Sequence, residues 1–194
     1  MKTNPFTLLT SIFSQNKQTL SNLIVARNAA TYALLWSIVA LCCFALLNLL
    51  IGGKGITLGT FLTDGISYLA SISLHGVFLY FPLWIHENAN SLKKWARVIP
   101  FLILQFLLLM AVLFIALLIT TGLFSGIPGG ISLVLFFLIV FYIALLAAYF
   151  RCISLWYHAL YGIPLRRGVF YAVEASVFFL IPSLLFGLFY FLAH

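Results

Sequence analysis

The stretch VIPFLILQFLLLMAVLFIALLITT, residues 98–121, decides the fold. It carries no charge, and Gln105 is its one strongly polar side chain. Because a helix rises about 1.5 Å per residue, a helix of this length crosses a hydrocarbon core of roughly 30 Å with some tilt. Lys93, Lys94 and Arg97 stand just before the stretch and predict that this end faces the cytoplasm.

The composition of the whole chain also indicates a membrane protein. Of its 194 residues, 64% are hydrophobic and only 7% are charged, whereas soluble domains carry about 25% charged residues. The net charge of +7 does not indicate nucleic-acid binding, because the basic residues lie mostly at the ends of apolar segments, as the positive-inside rule requires.

The other apolar segments fall around the central one. We predict an all-α, polytopic membrane protein in which residues 29–194 form one transmembrane domain. Its five helices are predicted at about 30–51, 58–85, 98–121, 131–153 and 169–192.

Residues 1–28 are predicted to form a cytoplasmic, interfacial amphipathic segment. Asn4 followed by Pro5 is typical of a helix start, and apolar residues follow at helical spacing, so the helix would lie in the membrane interface. The alternative is a disordered tail. The apolar residues on which the prediction depends are Phe6, Leu9 and Phe13.

Basic residues set the predicted topology, with the N-terminus inside. They lie in the N-terminal segment and in the second and fourth loops, whereas the first loop has one lysine and the third has no charge. We expect the basic loops to contact anionic lipid headgroups. A bacterial inner (plasma) membrane is favoured over a eukaryotic endomembrane, which stays open. The predicted contact residues are Lys93, Lys94, Arg97, Arg166 and Arg167.

Span two carries a polar stripe. Asp64, Ser67, Ser71 and His75 recur at steps of three or four residues and therefore share one helical face. The stripe would either line a path for protons or a small solute or join span two to its neighbours by hydrogen bonds and close packing. The packing interpretation is the simpler one, since polar residues in spans often serve it.

Glu174 is the only acidic residue in span five. The turn between spans four and five centres near Pro164, so an antiparallel hairpin brings Glu174 to about the depth of Leu155. Arg151 and His158 flank that depth on one helical face. Because an unpaired carboxylate in a membrane is costly, we predict an ion pair between Glu174 and one of these two residues.

The sequence indicates no enzymatic, metal or cofactor chemistry. His86-Glu87 begins like a zinc-protease motif, but a second histidine does not follow at the required spacing. The three cysteines show neither a disulfide framework nor metal-ligand spacing. We therefore expect a non-enzymatic protein with no cofactor.

Three groups of short motifs lie along the chain. They are Asn4-Pro5-Phe6 with Ile12-Phe13, Ser91-Leu92-Lys93 with Arg97-Val98, and Tyr161-Gly162-Ile163-Pro164 with Arg166-Arg167. These motifs resemble those of the Yip domain family, the Ypt/Rab-interacting proteins, and of its prokaryotic five-span members in particular. The resemblance implies five spans, a cytoplasmic N-terminus and a non-enzymatic role in organising membrane partners, bilayer shape or trafficking.

Two further hypotheses stay open. The chain would be a small transporter, or the membrane subunit of a transport complex, if the stripe from Asp64 to His75 lines a path. It would otherwise be a subunit that works only by helix contacts with a partner. In each case we expect membrane lipids as partners, together with either a second protein or further copies of this chain, and no nucleic acid.

Overall fold

The computed structural model describes residues 4–14, 16–26, 28–52, 58–89, 91–124 and 126–193. Side chains are described in these ranges except at 44–52, 58–64, 68 and 182–193. In this part of the chain all regular structure is helical. The helices are α1 (Pro5–Ser11), α2 (Lys17–Val25), α3 (Ala29–Gly52), α4 (Leu58–Phe78), α5 (Phe81–Glu87), α6 (Leu92–Ala96), α7 (Ile99–Phe124), α8 (Gly130–Tyr161) and α9 (Leu165–Ala193).

The long helices include candidate membrane spans. Three stretches of the described residues, Gly65–Glu87, Leu92–Phe124 and Gly130–Tyr161, are long and apolar enough to cross a bilayer. A fourth is possible if Lys17–Val25 and Ala29–Cys43, bent by 94° at their junction, count as one span. The chain is thus a helical membrane protein with three or four such spans among the described residues, and the five-span arrangement stays a prediction.

Helix α7 lies at the centre of the bundle. It packs against α3, α4 and α8, and α8 in turn packs against α9. The sequence explains this position, because α7 is apolar on every side and has no polar face to present to water.

Span two is broken near its end. Helix α4 ends at Phe78 and α5 begins at Phe81, with Leu79 and Tyr80 in a turn between them. Pro82 explains the break, because it has no N–H to donate and its ring clashes with the carbonyl four residues earlier, that of Phe78.

The N-terminal segment forms two helices rather than one. The side-chain oxygen of Asn4 accepts a hydrogen bond from the Phe6 N–H at 3.0 Å and caps α1. The Asn16 side chain caps α2 in the same way, accepting from the Gln18 N–H at 2.9 Å. These local bonds fix where both helices begin.

The apolar side of these two helices packs into the protein core. Leu8 of α1, Ile12 at the C-cap of α1, and Leu20 and Leu23 of α2 are all buried. They belong to the same cluster as large aromatic side chains of α6 and α8. The sequence predicted that the side carrying Phe6, Leu9 and Phe13 would lie on the lipid interface. Phe6 and Phe13 are exposed and Leu9 is half-buried, whereas Leu8 and Ile12 beside them pack against the bundle.

The packed core is concentrated at one end of the molecule, which we call the N-terminal face. It is the end where α1, α2, α5, α6 and the α8–α9 turn meet. Its largest fully buried side chains are Trp95, Trp156, Tyr157 and Phe101.

The first two thirds of α8 contrast with this face. Between Gly130 and Ala148 most of its side chains are exposed. The 32 residues of α8 span about 48 Å at 1.5 Å per residue, well beyond a hydrocarbon core of roughly 30 Å. Among the described side chains, packing is therefore denser at the N-terminal face than along the first part of α8.

Candidate functional site: a cationic face at one end of the bundle

The two basic loops are held side by side at the N-terminal face. The Lys94 ammonium donates to the Leu160 carbonyl at 2.9 Å and lies 5.3 Å from the centre of the Tyr161 ring. The Tyr161 hydroxyl lies 3.4 Å from the Ser91 carbonyl. Because the last carbonyls of a helix lack partners within the helix, Lys94 both satisfies the end of α8 and joins it to α6.

A second set of contacts joins α5 to α9. The Glu87 carboxylate accepts from the Tyr171 hydroxyl at 2.8 Å and pairs with the Arg167 guanidinium at 3.4 Å. The His86 ring stacks on Tyr171, with ring centres 5.1 Å apart and planes 8° from parallel. His86 Nε2 also lies 3.1 Å from a Glu174 oxygen. Exposed ion pairs of this kind contribute about 0–1 kcal/mol each, so they fix geometry more than they add stability.

The structure corrects the predicted partner of Glu174. The carboxylate lies against His86 on α5, not against Arg151 or His158 on α8. His158 instead contacts the Ile163 carbonyl through Nδ1 at 2.9 Å, and Arg151 is exposed. The hairpin argument considered only α8, whereas α9 also packs against α5, and Glu174 contacts that helix.

The predicted lipid-contacting cations now divide into two groups. Lys94 and Arg167 make contacts within the protein. Lys93, Arg97 and Arg166 are exposed, and no hydrogen bond or ion pair within the described residues engages them. Both acidic side chains of this face are already paired, so its free charge is positive.

A buried hydrogen-bond network supports the face from within. The fully buried Gln105 amide donates through Nε2 to the Ile12 carbonyl and accepts through Oε1 from the Trp156 indole N–H at 3.0 Å. The Trp95 indole donates to the Gly76 carbonyl at 2.8 Å. The sequence shows Gln105 as the one strongly polar side chain of the central span, and a polar side chain in such a span indicates a specific partner. That these partners are the Ile12 carbonyl and the Trp156 indole could not be predicted from the sequence.

The described members of the polar stripe do not form one lining. Ser67 and Ser71 are exposed, whereas His75 Nε2 lies 3.3 Å from the Ser176 hydroxyl on α9. The side chain of Asp64 lies outside the described residues. His75 therefore takes part in a contact between α4 and α9.

The Ser176 hydroxyl also donates to the Ala172 carbonyl at 2.8 Å, so it contacts both the backbone of its own helix and the imidazole of His75. Among the described side chains, no three His, Cys, Asp or Glu residues lie close enough together to hold a metal ion.

Comparison of the chain with protein-family models, with curated proteins and with solved structures finds no match. The resemblance to the Yip domain family stays a prediction from the short motifs.

Proposed function

We propose that this chain is a non-enzymatic integral membrane protein, similar to the Yip domain family, that holds membrane partners together at its cationic N-terminal face. The observation that carries the proposal is the way this face is built. Contacts from Lys94 and Arg167 hold two loops, far apart in sequence, side by side. This leaves Lys93, Arg97 and Arg166 exposed on one well-packed end.

The face suits an anionic surface. Each basic residue near an anionic leaflet contributes on the order of 1 kcal/mol. Three free cations thus contribute about 3 kcal/mol, or roughly a hundredfold in affinity. Because the buried core beneath them fixes the backbone, little ordering entropy is lost when a partner binds.

Packing of the N-terminal helices favours organisation of partners over bending of the bilayer. A helix that bends a membrane inserts its apolar side into the lipid. Here Leu8, Ile12, Leu20 and Leu23 are buried in the protein instead. Only a few outward side chains, such as Phe6 at 69% exposure, remain for the interface.

The test is isolation of the tagged protein in a gentle detergent, followed by mass spectrometry of the proteins and lipids that remain bound. The variant replaces Lys93, Arg97 and Arg166 with glutamine, and Arg151→Gln is the control because Arg151 is exposed but lies outside the two loops. We expect a stoichiometric partner with the wild type and the control, and its loss from the triple variant. The same partners on all three proteins would refute the proposal.

Transport along the polar stripe is the alternative function. The half-buried His75 beside Ser176 is the observation that bears on it, and that contact joins two helices. Proton flux into liposomes containing the purified protein tests this alternative. Equal flux with the wild type and with Asp64→Asn would remove it.

A further inference from the structure

An apolar groove lies between α3 and α7 on the side of the bundle. Its volume is about 250 Å³ and it is open along one side. Leu9 of α1 lies at one end, and Ile115 of α7 lies among the residues farther along it. Its walls include Trp36 and Cys43 of α3 and Leu104 of α7, and none of the described side chains that line it is charged.

The length of the groove is close to that of one lipid chain, and its lining lies around the middle of the predicted span 98–121. From Leu104 to Ile115 the wall of α7 rises about 16 Å at 1.5 Å per residue. Half of a hydrocarbon core of roughly 30 Å is about 15 Å. Since α7 belongs to a candidate membrane span, the medium at the opening of the groove is hydrocarbon rather than water.

Helix α1 borders the end of the groove nearest the N-terminal face. The Trp36 indole donates to the Pro5 carbonyl at 3.0 Å, and the Phe6 and Trp36 rings meet edge to face, 5.7 Å apart. These contacts hold α1 across the end of α3 and place Leu9 over the groove. A chain that enters the groove from this end therefore leaves its headgroup at the cationic face.

We propose that this groove binds one acyl chain of an acidic phospholipid, whose headgroup lies at the N-terminal face. The acyl part rests on the apolar lining and on the match in length. The headgroup part rests on the excess of exposed cations at this face, and so on the cationic surface of the proposed function.

Two adjacent cysteines provide a probe and its control. Cys42 and Cys43 are both exposed, but only Cys43 is among the residues that line the groove. The experiment measures alkylation of each thiol in the detergent-purified full chain, using Cys42→Ala and Cys43→Ala to separate the two signals. Phosphatidylglycerol or phosphatidylcholine is then added at increasing concentration.

We expect phosphatidylglycerol to slow alkylation of Cys43 at least fivefold and to leave the rate at Cys42 unchanged. If alkylation slows equally at both thiols, or slows at neither, the proposal that the groove binds an acyl chain is wrong. Equal protection by phosphatidylcholine would overturn the headgroup assignment.

A groove-filling variant tests the same proposal by another route. Ala111 lines the groove, whereas Ala147 is exposed on α8. With a phosphatidylglycerol that carries a photoreactive acyl chain, we expect Ala111→Trp to lose cross-links to groove residues and Ala147→Trp to keep them. If cross-links to groove residues persist in Ala111→Trp, or if a second protein chain is cross-linked to those residues, the proposal that the groove binds an acyl chain is refuted. The two proposals fail separately, because Ala111→Trp leaves the exposed cations in place.

Discussion

Replacing Gln105 with leucine tests whether the N-terminal helices are an integral part of the bundle. Gln105 is the only side chain through which α7 bonds both to the backbone of the N-terminal segment and to α8 among the described residues. Leucine is close to glutamine in size and suits the surrounding apolar core. The substitution thus removes two hydrogen bonds and changes packing little.

The structure gives the size of the expected effect. Without Gln105, the Ile12 carbonyl and the Trp156 indole N–H are buried without a partner, at a cost of about 1–3 kcal/mol each. Burying a leucine side chain costs less free energy than burying an amide, and this difference offsets part of the cost. We expect the free energy of unfolding to fall by about 2–4 kcal/mol, which lowers the melting temperature by roughly 5–12 °C.

Thermal unfolding in detergent and limited trypsin digestion at Lys17 measure the effect. The control is Thr120→Val, because Thr120 is also buried in α7 but its hydroxyl bonds only to carbonyls of its own helix. We expect the control to change stability by less than about 1 kcal/mol and to leave Lys17 protected. In Gln105→Leu, Lys17 should become the first cleavage site.

A double variant sharpens the test. Trp156→Phe removes the indole N–H, so it should cost about 1–2 kcal/mol less in the Gln105→Leu background than in the wild type. If Gln105→Leu has the same melting temperature as Thr120→Val and Lys17 stays protected from trypsin, the Gln105 amide does not hold the N-terminal helices and the prediction is wrong.

Two further predictions concern α9. A Cβ on Gly168 would lie 2.7 Å from the Ser154 hydroxyl oxygen, so Gly168→Ala should lower the free energy of unfolding by about 1–3 kcal/mol. The control is Gly65→Ala in α4, where a Cβ meets nothing within 4 Å and the free energy of unfolding should rise by up to about 1 kcal/mol. Equal effects of the two variants on thermal unfolding would contradict this prediction. Tyr171→Phe removes the hydroxyl that donates to Glu87 and should cost about 0.5–1.5 kcal/mol, and an unchanged melting temperature would show that the bond is not formed.

Periodicity and length predicted the helices well. The central segment 98–121 corresponds to Ile99–Phe124, and segment 131–153 lies within Gly130–Tyr161. The break next to Pro82 was also predictable, since proline disrupts a helix by its own geometry. These features depend on local chemistry, which a sequence contains directly.

The contacts between helices were not predictable in the same way. An apolar stripe such as that of α1 looks the same whether it faces lipid or protein, because both are apolar. The pairing of Glu174 with His86 depends on the rotation of α9 and on the path of the chain after Pro82. Neither follows from spacing along the sequence.

The network around Gln105 has a consequence for synthesis of the protein. At ~5–20 residues per second, Trp156 leaves the ribosome roughly 7–30 s after Ile12. Until then the core that receives Leu8 and Ile12 is incomplete. A nascent amphipathic helix with an uncovered apolar side binds to the bilayer surface. We therefore expect the N-terminal helices to lie first on the membrane and to leave it only when the fourth predicted span has been inserted.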